Sequence, residues 1–302
     1  MRIIFMGTPE FAVPTLEILY KNGYDIAAVI TATDKYGGRN GKKLIESAVK
    51  KFAQAHDIPV LQPKNLKDPD FVAHLRKLKA DLQVVVAFRM LPEVVWDMPP
   101  HGTLNLHGSL LPKYRGAAPI NWAIINGETE SGVTTFKLKH VIDTGDMYFQ
   151  AKVIIDDTMT AGALHDTLMP IGANLVLQTV KAIETGAIMA QEQTGEPTHA
   201  PKIFHQTCQI DFNALTGKVH NFIRGLSPYP TAWTTYQEKK LKIFLAEKEI
   251  GNKKEAPGTF VTDRKSFFKV ATQDGYIHLL EVQSQGRKRM KIRDFLNGLK
   301  SS

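Results

Sequence analysis

The sequence has very little cysteine and no long hydrophobic run. Cys208 is the one cysteine among 302 residues, which excludes a disulfide within the chain and fits a reducing compartment. No set of Cys and His residues has the spacing of metal ligands, so we predict no metal site. No apolar stretch approaches the ~20 residues of a membrane span, and the apolar N-terminus is too short for a signal peptide. We therefore expect a cytoplasmic protein without a membrane partner.

The sequence also lacks the glycine pattern of dinucleotide-binding proteins. Residues 2–6 are nearly all apolar, as in a buried parallel strand, and a helical segment and a second strand at 26–31 follow. This βαβ opening predicts a doubly wound, Rossmann-like α/β sheet. Gly7 is not followed by the glycines of G-x-G-x-x-G, so an NAD or FAD enzyme loses its main support.

The first two thirds of the chain have no excess of positive charge, whereas the last third has a large one. Residues 201–302 hold 18 Lys+Arg and 9 Asp+Glu, a net charge of +9, which leaves −1 for residues 1–200 out of a total of +8. A neutral body with a basic appendage indicates a polyanionic partner such as nucleic acid. A solvated basic surface without a partner is an equally good interpretation of the charge alone.

The last hundred residues have a β pattern of their own. Short strands at 232–236, 240–245, 258–262, 267–271 and 276–283 predict a small barrel of the OB type. The segment 286–293 then carries five positive charges in eight residues, a composition suited to phosphate contacts. We predict an α/β domain at 1–190, a linker at 191–205 and a basic OB-like domain at 206–302.

Residues 103–116 hold the candidate catalytic groups. Asn105 and His107 are two apart on a predicted strand and so point to the same face. Acyl transfer to an amine needs a donor for the developing oxyanion and a group of near-neutral pKa for the amine proton. Asp143 could orient the imidazole or support its charged form. For the pair taken alone, the favoured interpretation is structural: Asn105 closes a turn, and His107 is a half-buried histidine with its hydrogen bonds satisfied.

Three sequence motifs favour the catalytic interpretation of Asn105 and His107 over the structural one. Asn-Leu-His-Gly-Ser-Leu-Leu-Pro at 105–112, Tyr-Arg-Gly at 114–116 and Asp-Thr-Gly-Asp at 143–146 resemble the folate-dependent formyltransferases, and among them those that formylate methionine on initiator tRNA. Arg-Gly-Leu-Ser-Pro-Tyr-Pro-Thr-Ala-Trp at 224–233 extends the resemblance, which covers residues 1–299.

The resemblance implies a function and a reaction. The donor would be 10-formyltetrahydrofolate, a cosubstrate rather than a permanently bound cofactor, and the acceptor would be initiator methionyl-tRNA for translation initiation. Asn105 would hold the formyl oxygen, and His107 would act as a base or as a cation. Asp143 would tune His107, while Asp146 would be structural. A monomer is expected, with the C-terminal OB-fold holding tRNA.

The resemblance also implies two sets of binding residues. The folate would be held by residues 88–91 and 109–112, namely Phe88, Arg89, Met90, Leu91, Ser109, Leu110, Leu111 and Pro112. The tRNA would be held by a basic glycine-rich loop at 34–43 and by the basic segment near the C-terminus, namely Arg39, Lys42, Lys43, Arg287, Lys288 and Arg289.

The sequence departs from the family pattern at two places. Many members have Ala-Tyr-Gly where this chain has Ala87-Phe88-Arg89, and Asn40 is an extra residue in the basic loop. Arg115 fits either a phosphate or carboxylate contact or a salt-bridged loop residue.

Three other functions account for part of the sequence. A small amine such as a nucleotide sugar or glycinamide ribotide could be the acceptor, although it would not need a basic barrel. An RNA-binding protein with a silent first domain would not need Asn105, His107 and Asp143 together. An NAD oxidoreductase is third, because the glycine pattern is missing.

Overall fold

A computed structural model describes residues 1–37 and 41–299. The chain forms two compact units. The first contains Met1–Arg115, Gly132–Val153 and His165–Thr198, and the second contains Gly116–Ser131, Ile154–Leu164 and His199–Ser302. Two segments from the middle of the chain therefore join the second unit, and the domain boundaries at 190 and 206 stay a prediction.

The strands alternate with helices in the first half of the chain and follow one another in the last third. In chain order the strands are β1 (Arg2–Gly7), β2 (Asp25–Ile30), β3 (Lys35–Gly37), β4 (Lys43–Ile45), β5 (Val60–Leu61), β6 (Leu82–Val86), β7 (Thr103–His107), β8 (Arg115–Gly116), β9 (Glu130–Lys137), β10 (Met147–Ile154), β11 (His199–Ala200), β12 (Ala232–Tyr236), β13 (Lys239–Ile250), β14 (Phe260–Thr262), β15 (Phe268–Ala271), β16 (Gly275–Ser284) and β17 (Met290–Lys291). The α-helices are α1 (Val13–Lys21), α2 (Ala48–Ala55), α3 (Pro69–Lys77), α4 (Glu93–Trp96), α5 (Pro119–Ile125), α6 (Ala161–Glu184), α7 (Thr216–Gly225) and α8 (Ile292–Leu299).

The first unit is built on a seven-stranded sheet of order β10-β9-β7-β6-β1-β2-β5. The strands from β5 to β7 in this order are parallel, and β9 joins β7 antiparallel. All five residues of β6 are buried, and so are residues 3–7 of β1, as expected when helices cover both faces of a parallel sheet. The predicted doubly wound, Rossmann-like sheet is confirmed.

Part of the predicted loop at 34–43 is a β-hairpin. β3 and β4 pair antiparallel, with Tyr36 opposite Leu44. Residues 38–40 are outside the described residues, and the predicted tRNA contact Arg39 is one of them. The helix α2 follows this hairpin and begins at Ala48, where Ser47 caps it by accepting a hydrogen bond from the backbone N–H of Lys50 (3.0 Å).

The second unit is built on an antiparallel sheet of order β12-β13-β16-β15-β14, with β17 also paired to β16. The pairing of β13 with β16 shifts register near Leu245, and such bulges curl a sheet. The apolar side chains of the sheet, α7 and α8 share one buried core around Phe268 and Val282. The predicted barrel-type domain is confirmed, and β13 is longer than expected.

Two further properties bear on function. None of the described helices is long and apolar enough to cross a bilayer. Over the same residues, no group of three or more His, Cys, Asp or Glu side chains is placed to hold a metal ion.

Candidate active site

β7 delivers Asn105 and His107 to the carboxyl edge of the parallel sheet. Its neighbour β6 is parallel with Val86 opposite Leu106, so Ala87 and His107 follow at the same edge. Ligands of open α/β sheets bind at this edge. Asn105 is half-buried, and its side-chain amide forms no hydrogen bond with any residue that the structure describes. An uncommitted amide donor therefore lies beside an imidazole.

The imidazole of His107 is held through one ring nitrogen. The residue is 7% exposed, and its Nε2 lies 2.8 Å from the carbonyl oxygen of Tyr114. A carbonyl can only accept, so Nε2 carries a hydrogen and donates it. Nδ1 faces Oδ2 of Asp143 at 3.7 Å, which is longer than a direct hydrogen bond. Proton exchange with a ligand is thus left to Nδ1, on the side of the carboxylate.

The loop that carries Asp143 is tightly shaped. Asp143 has a φ of 54°, in the left-handed region that side chains seldom adopt. A Cβ on Gly145 would lie 1.6 Å from the carbonyl oxygen of Lys137, so only glycine allows this approach to β9. The backbone N–H of Lys137 donates to the carbonyl of Asp146 (2.8 Å), and Lys139 donates to the Asp146 carboxylate (2.6 Å). These contacts fix the turn from which the Asp143 carboxylate reaches His107.

A residue that the sequence analysis did not single out holds the same turn. Nε2 of Gln193 donates to the carbonyls of Asp143 (2.9 Å) and Gly145 (2.8 Å). Its Oε1 accepts from Nε (3.2 Å) and Nη2 (2.6 Å) of Arg115. Arg115 therefore contacts an amide, which neither of the two sequence interpretations named. Gln193 lies in a polar segment without periodicity, so no pattern pointed to it.

The residues predicted to bind folate differ in what they expose. Leu91 and Leu111 are buried, and the buried hydroxyl of Ser109 donates to the Lys113 carbonyl (2.6 Å). Such residues can offer a ligand only their backbone groups. Arg89 and Met90 are exposed, and Arg89 donates to the carbonyls of Pro63 and Lys64. The half-buried members are Phe88, Leu110 and Pro112.

Those residues predicted to bind tRNA that the structure describes are exposed, and one of them is ion-paired. Lys42 and Lys43 are exposed at the hairpin, and Arg287 and Lys288 are exposed before β17. Arg289 is ion-paired with Glu281 and lies 4.5 Å from the centre of the Phe244 ring. Its charge is therefore already partly compensated within the second unit.

Comparisons with known proteins agree with this fold. Residues 1–180 match the formyl transferase family, and residues 202–300 match the formyl transferase C-terminal domain. The chain belongs to the formyl transferase family.

Among its relatives are two methionyl-tRNA formyltransferases. That of Bacteroides fragilis is 51% identical over 308 residues, covering 99% of this chain and 95% of the relative. That of Bacteroides thetaiotaomicron is 52% identical over 312 residues, covering 100% and 97%. The N-formyltransferase of Helicobacter canadensis, solved with folinic acid and dTDP-3-aminofucose, has a TM-score of 0.69 at 22% identity, covers 93% of this chain and 98% of its own, and supports the fold.

Proposed function

We propose that this protein transfers the formyl group of 10-formyltetrahydrofolate to the α-amine of initiator methionyl-tRNA. The observation that carries the proposal is the uncommitted Asn105 amide beside the His107–Asp143 pair at the carboxyl edge of the sheet. The methionyl-tRNA formyltransferases at 51% and 52% identity support the choice of acceptor.

Asn105 acts on the oxygen of the formyl group. The amine of methionyl-tRNA attacks the formyl carbon, and the carbonyl oxygen gains negative charge in the tetrahedral intermediate. A donor that is already in place and has no competing partner stabilises that charge without reorganisation. One such donor typically contributes about 2.7–4 kcal/mol to lowering the barrier.

His107 and Asp143 act on the proton. Because Nε2 donates to the Tyr114 carbonyl, Nδ1 takes the proton that the attacking amine loses. The imidazolium then has an acceptor on each side, with the Tyr114 carbonyl 2.8 Å from Nε2 and the Asp143 carboxylate 3.7 Å from Nδ1. Nδ1 returns the proton to N10 of the folate as the C–N10 bond breaks, which leaves formyl-methionyl-tRNA and tetrahydrofolate.

The second unit supports a polyanionic acceptor. On one face of its sheet, Trp233 and Lys242 are cross-strand neighbours, and Nζ of Lys240 lies 4.1 Å from the centre of the Trp233 ring. The ring of His205 stacks on that of Trp233, with 5.9 Å between the ring centres. Partial desolvation lowers the pKa of His205, and the positive charges of Lys240 and Lys242 lower it further. Aromatic rings with interleaved cations are typical of surfaces on which nucleic-acid strands lie. A nucleotide sugar, the acceptor of the main rival, would need no such surface.

The test is a direct transfer assay with purified protein. Formyl-labelled 10-formyltetrahydrofolate is mixed with initiator methionyl-tRNA, elongator methionyl-tRNA or a dTDP-amino sugar. We expect rapid transfer to the initiator tRNA and little to the other two. Transfer to the sugar alone would establish the rival acceptor, and tRNA binding without any transfer would overturn the proposal.

A further inference from the structure

The segment that precedes β11 is bound to the active-site loops of the first unit. Residues 191–199 are exposed except for Gln193, which is half-buried. Met147 and Gln191 exchange two backbone hydrogen bonds (2.7 and 2.8 Å). These bonds place the side chain of Gln193 against the turn of Asp143. An isolated half-buried polar residue in an exposed run needs a reason for its position.

The amide of Gln193 has no spare bonding capacity. A side-chain amide offers two N–H donors and two acceptor sites. Both donors are used on the carbonyls of Asp143 and Gly145, and both acceptor sites are used by Arg115. A flipped amide would set N–H against guanidinium and oxygen against two carbonyls. The four contacts therefore define one orientation.

The same segment also holds the other side of the His107–Asp143 pair. The backbone N–H of Tyr114 donates to Oγ1 of Thr198 (2.8 Å), and that of Arg115 donates to the Thr198 carbonyl (2.9 Å). The carbonyl of Tyr114 is the group that binds Nε2 of His107. Residues 193–198 thus connect the support of the imidazole with the support of the carboxylate.

We propose that Gln193, polarised by the Arg115 guanidinium, is a positioning residue that sets the distance between Asp143 and Nδ1 of His107. A cation on Oε1 strengthens the amide N–H groups as donors, because hydrogen bonds in a chain polarise one another. Gln193 touches neither substrate. Its effect is on the geometry in which the proton moves, and this assignment rests on the proposed function.

The first test compares Gln193→Ala and the isosteric Gln193→Glu with Gln191→Ala. Gln191 lies in the same segment and is exposed, and its bonds to the residues that the structure describes are formed by its backbone. We expect both Gln193 variants to lose about 10- to 100-fold in kcat, the scale of a displacement of about 1 Å at a reacting group. KM for folate and for tRNA should stay within about threefold, as for an interaction that acts on the chemical step. Gln191→Ala should match the wild type.

The second test asks whether Arg115 acts through Gln193. Arg115→Ala should lower kcat in the wild-type background and add almost nothing in the Gln193→Ala background, because coupled residues are not additive. Independent, multiplicative losses would overturn the proposal. A kcat within twofold of the wild type for Gln193→Glu would also overturn it, as would an equal loss for Gln191→Ala.

A third measurement does not depend on the substrate. Hydrogen exchange of residues 138–147 should be faster in Gln193→Ala than in Gln191→Ala, since the turn loses two of its bonds. Unchanged exchange would overturn the positioning role. If the wild type failed to formylate initiator methionyl-tRNA while the exchange result held, the proposed function alone would fall.

Discussion

Replacement of Asn105 by alanine should lower the catalytic rate far more than it lowers the stability of the protein. Asn105 is the middle residue of β7, it is half-buried, and its side-chain amide bonds to none of the residues in 1–37 and 41–299. No partner is therefore left buried and unsatisfied when the amide is removed. The expected loss in free energy of unfolding is below about 1 kcal/mol, since the large costs come from orphaned polar groups and from cavities.

The expected loss of transition-state stabilisation in Asn105→Ala is much larger. If Asn105 alone stabilises the formyl oxyanion from its side chain, Asn105→Ala should lower kcat by about 10²- to 10³-fold, the usual effect of losing one oxyanion donor. Asn105→Asp should be at least as damaging, because a carboxylate of the same shape repels the developing charge. Binding of tRNA should be nearly unchanged, because its proposed contacts lie elsewhere.

The assay measures kcat, KM for both substrates and tRNA affinity, together with urea unfolding. Asn174→Ala is a matched control, because among the described residues the side chain of this exposed asparagine bonds only to the Pro170 carbonyl within α6. It should leave kcat unchanged. A parallel loss of tRNA binding in Asn105→Ala, or a kcat within tenfold of the wild type, would refute the assigned role.

Three other substitutions test separate parts of the structure. Asp143→Asn keeps the shape of the side chain but removes the charge 3.7 Å from Nδ1 of His107, so kcat should fall by about 10²-fold, the lower range for removing a proton-transfer group, with little change in tRNA affinity. Asp274→Ala should cost about 1 kcal/mol in urea unfolding at neutral pH, because Oδ1 accepts from the backbone N–H and the hydroxyl of Thr216 at the start of α7. The same bonds hold the pKa of Asp274 below its ordinary value. The stability that Asp274 contributes is therefore complete above its unfolded-state pKa and is lost as the pH falls through its folded-state pKa. The stabilities of the variant and the wild type should converge at low pH. Lys42→Ala should raise KM for tRNA, leave KM for folate unchanged and lower the slope of log KM against log salt by about 1, as expected for one phosphate contact.

The local sequence pattern was enough to predict the strands that carry the candidate site. β7 runs from Thr103 to His107 as expected, because its alternation and its flanking glycines bound a short strand. The parallel order of its neighbours follows from the βαβ pattern, which also places the ends of these strands at one edge. The hairpin at β3 and β4 was missed, because its glycines and lysines resemble an irregular loop and its apolar residues Leu44 and Ile45 are 45% and 53% exposed.

The contacts that shape the candidate site could not be predicted from the local sequence pattern. Gln193 lies 50 residues from Asp143, and nothing in a polar segment indicates which side chain will turn inward. The close approach of Gly145 to β9 is likewise a matter of packing, since its φ is not in the left-handed region. Such contacts have no periodicity, and their energies depend on long-range geometry.

The backbone carbonyl of Tyr114 determines which ring nitrogen of His107 carries a hydrogen. From residue types alone, His107 could be a base or a fixed cation. Its hydrogen bond to the carbonyl of Tyr114, seven residues along the chain, settles which ring nitrogen bears the permanent hydrogen and so restricts exchange to Nδ1. In the proposed reaction, Nδ1 accepts the amine proton while it faces the Asp143 carboxylate, and it then returns that proton to N10 of the folate. Base and cation are then successive states of one residue in a single turnover.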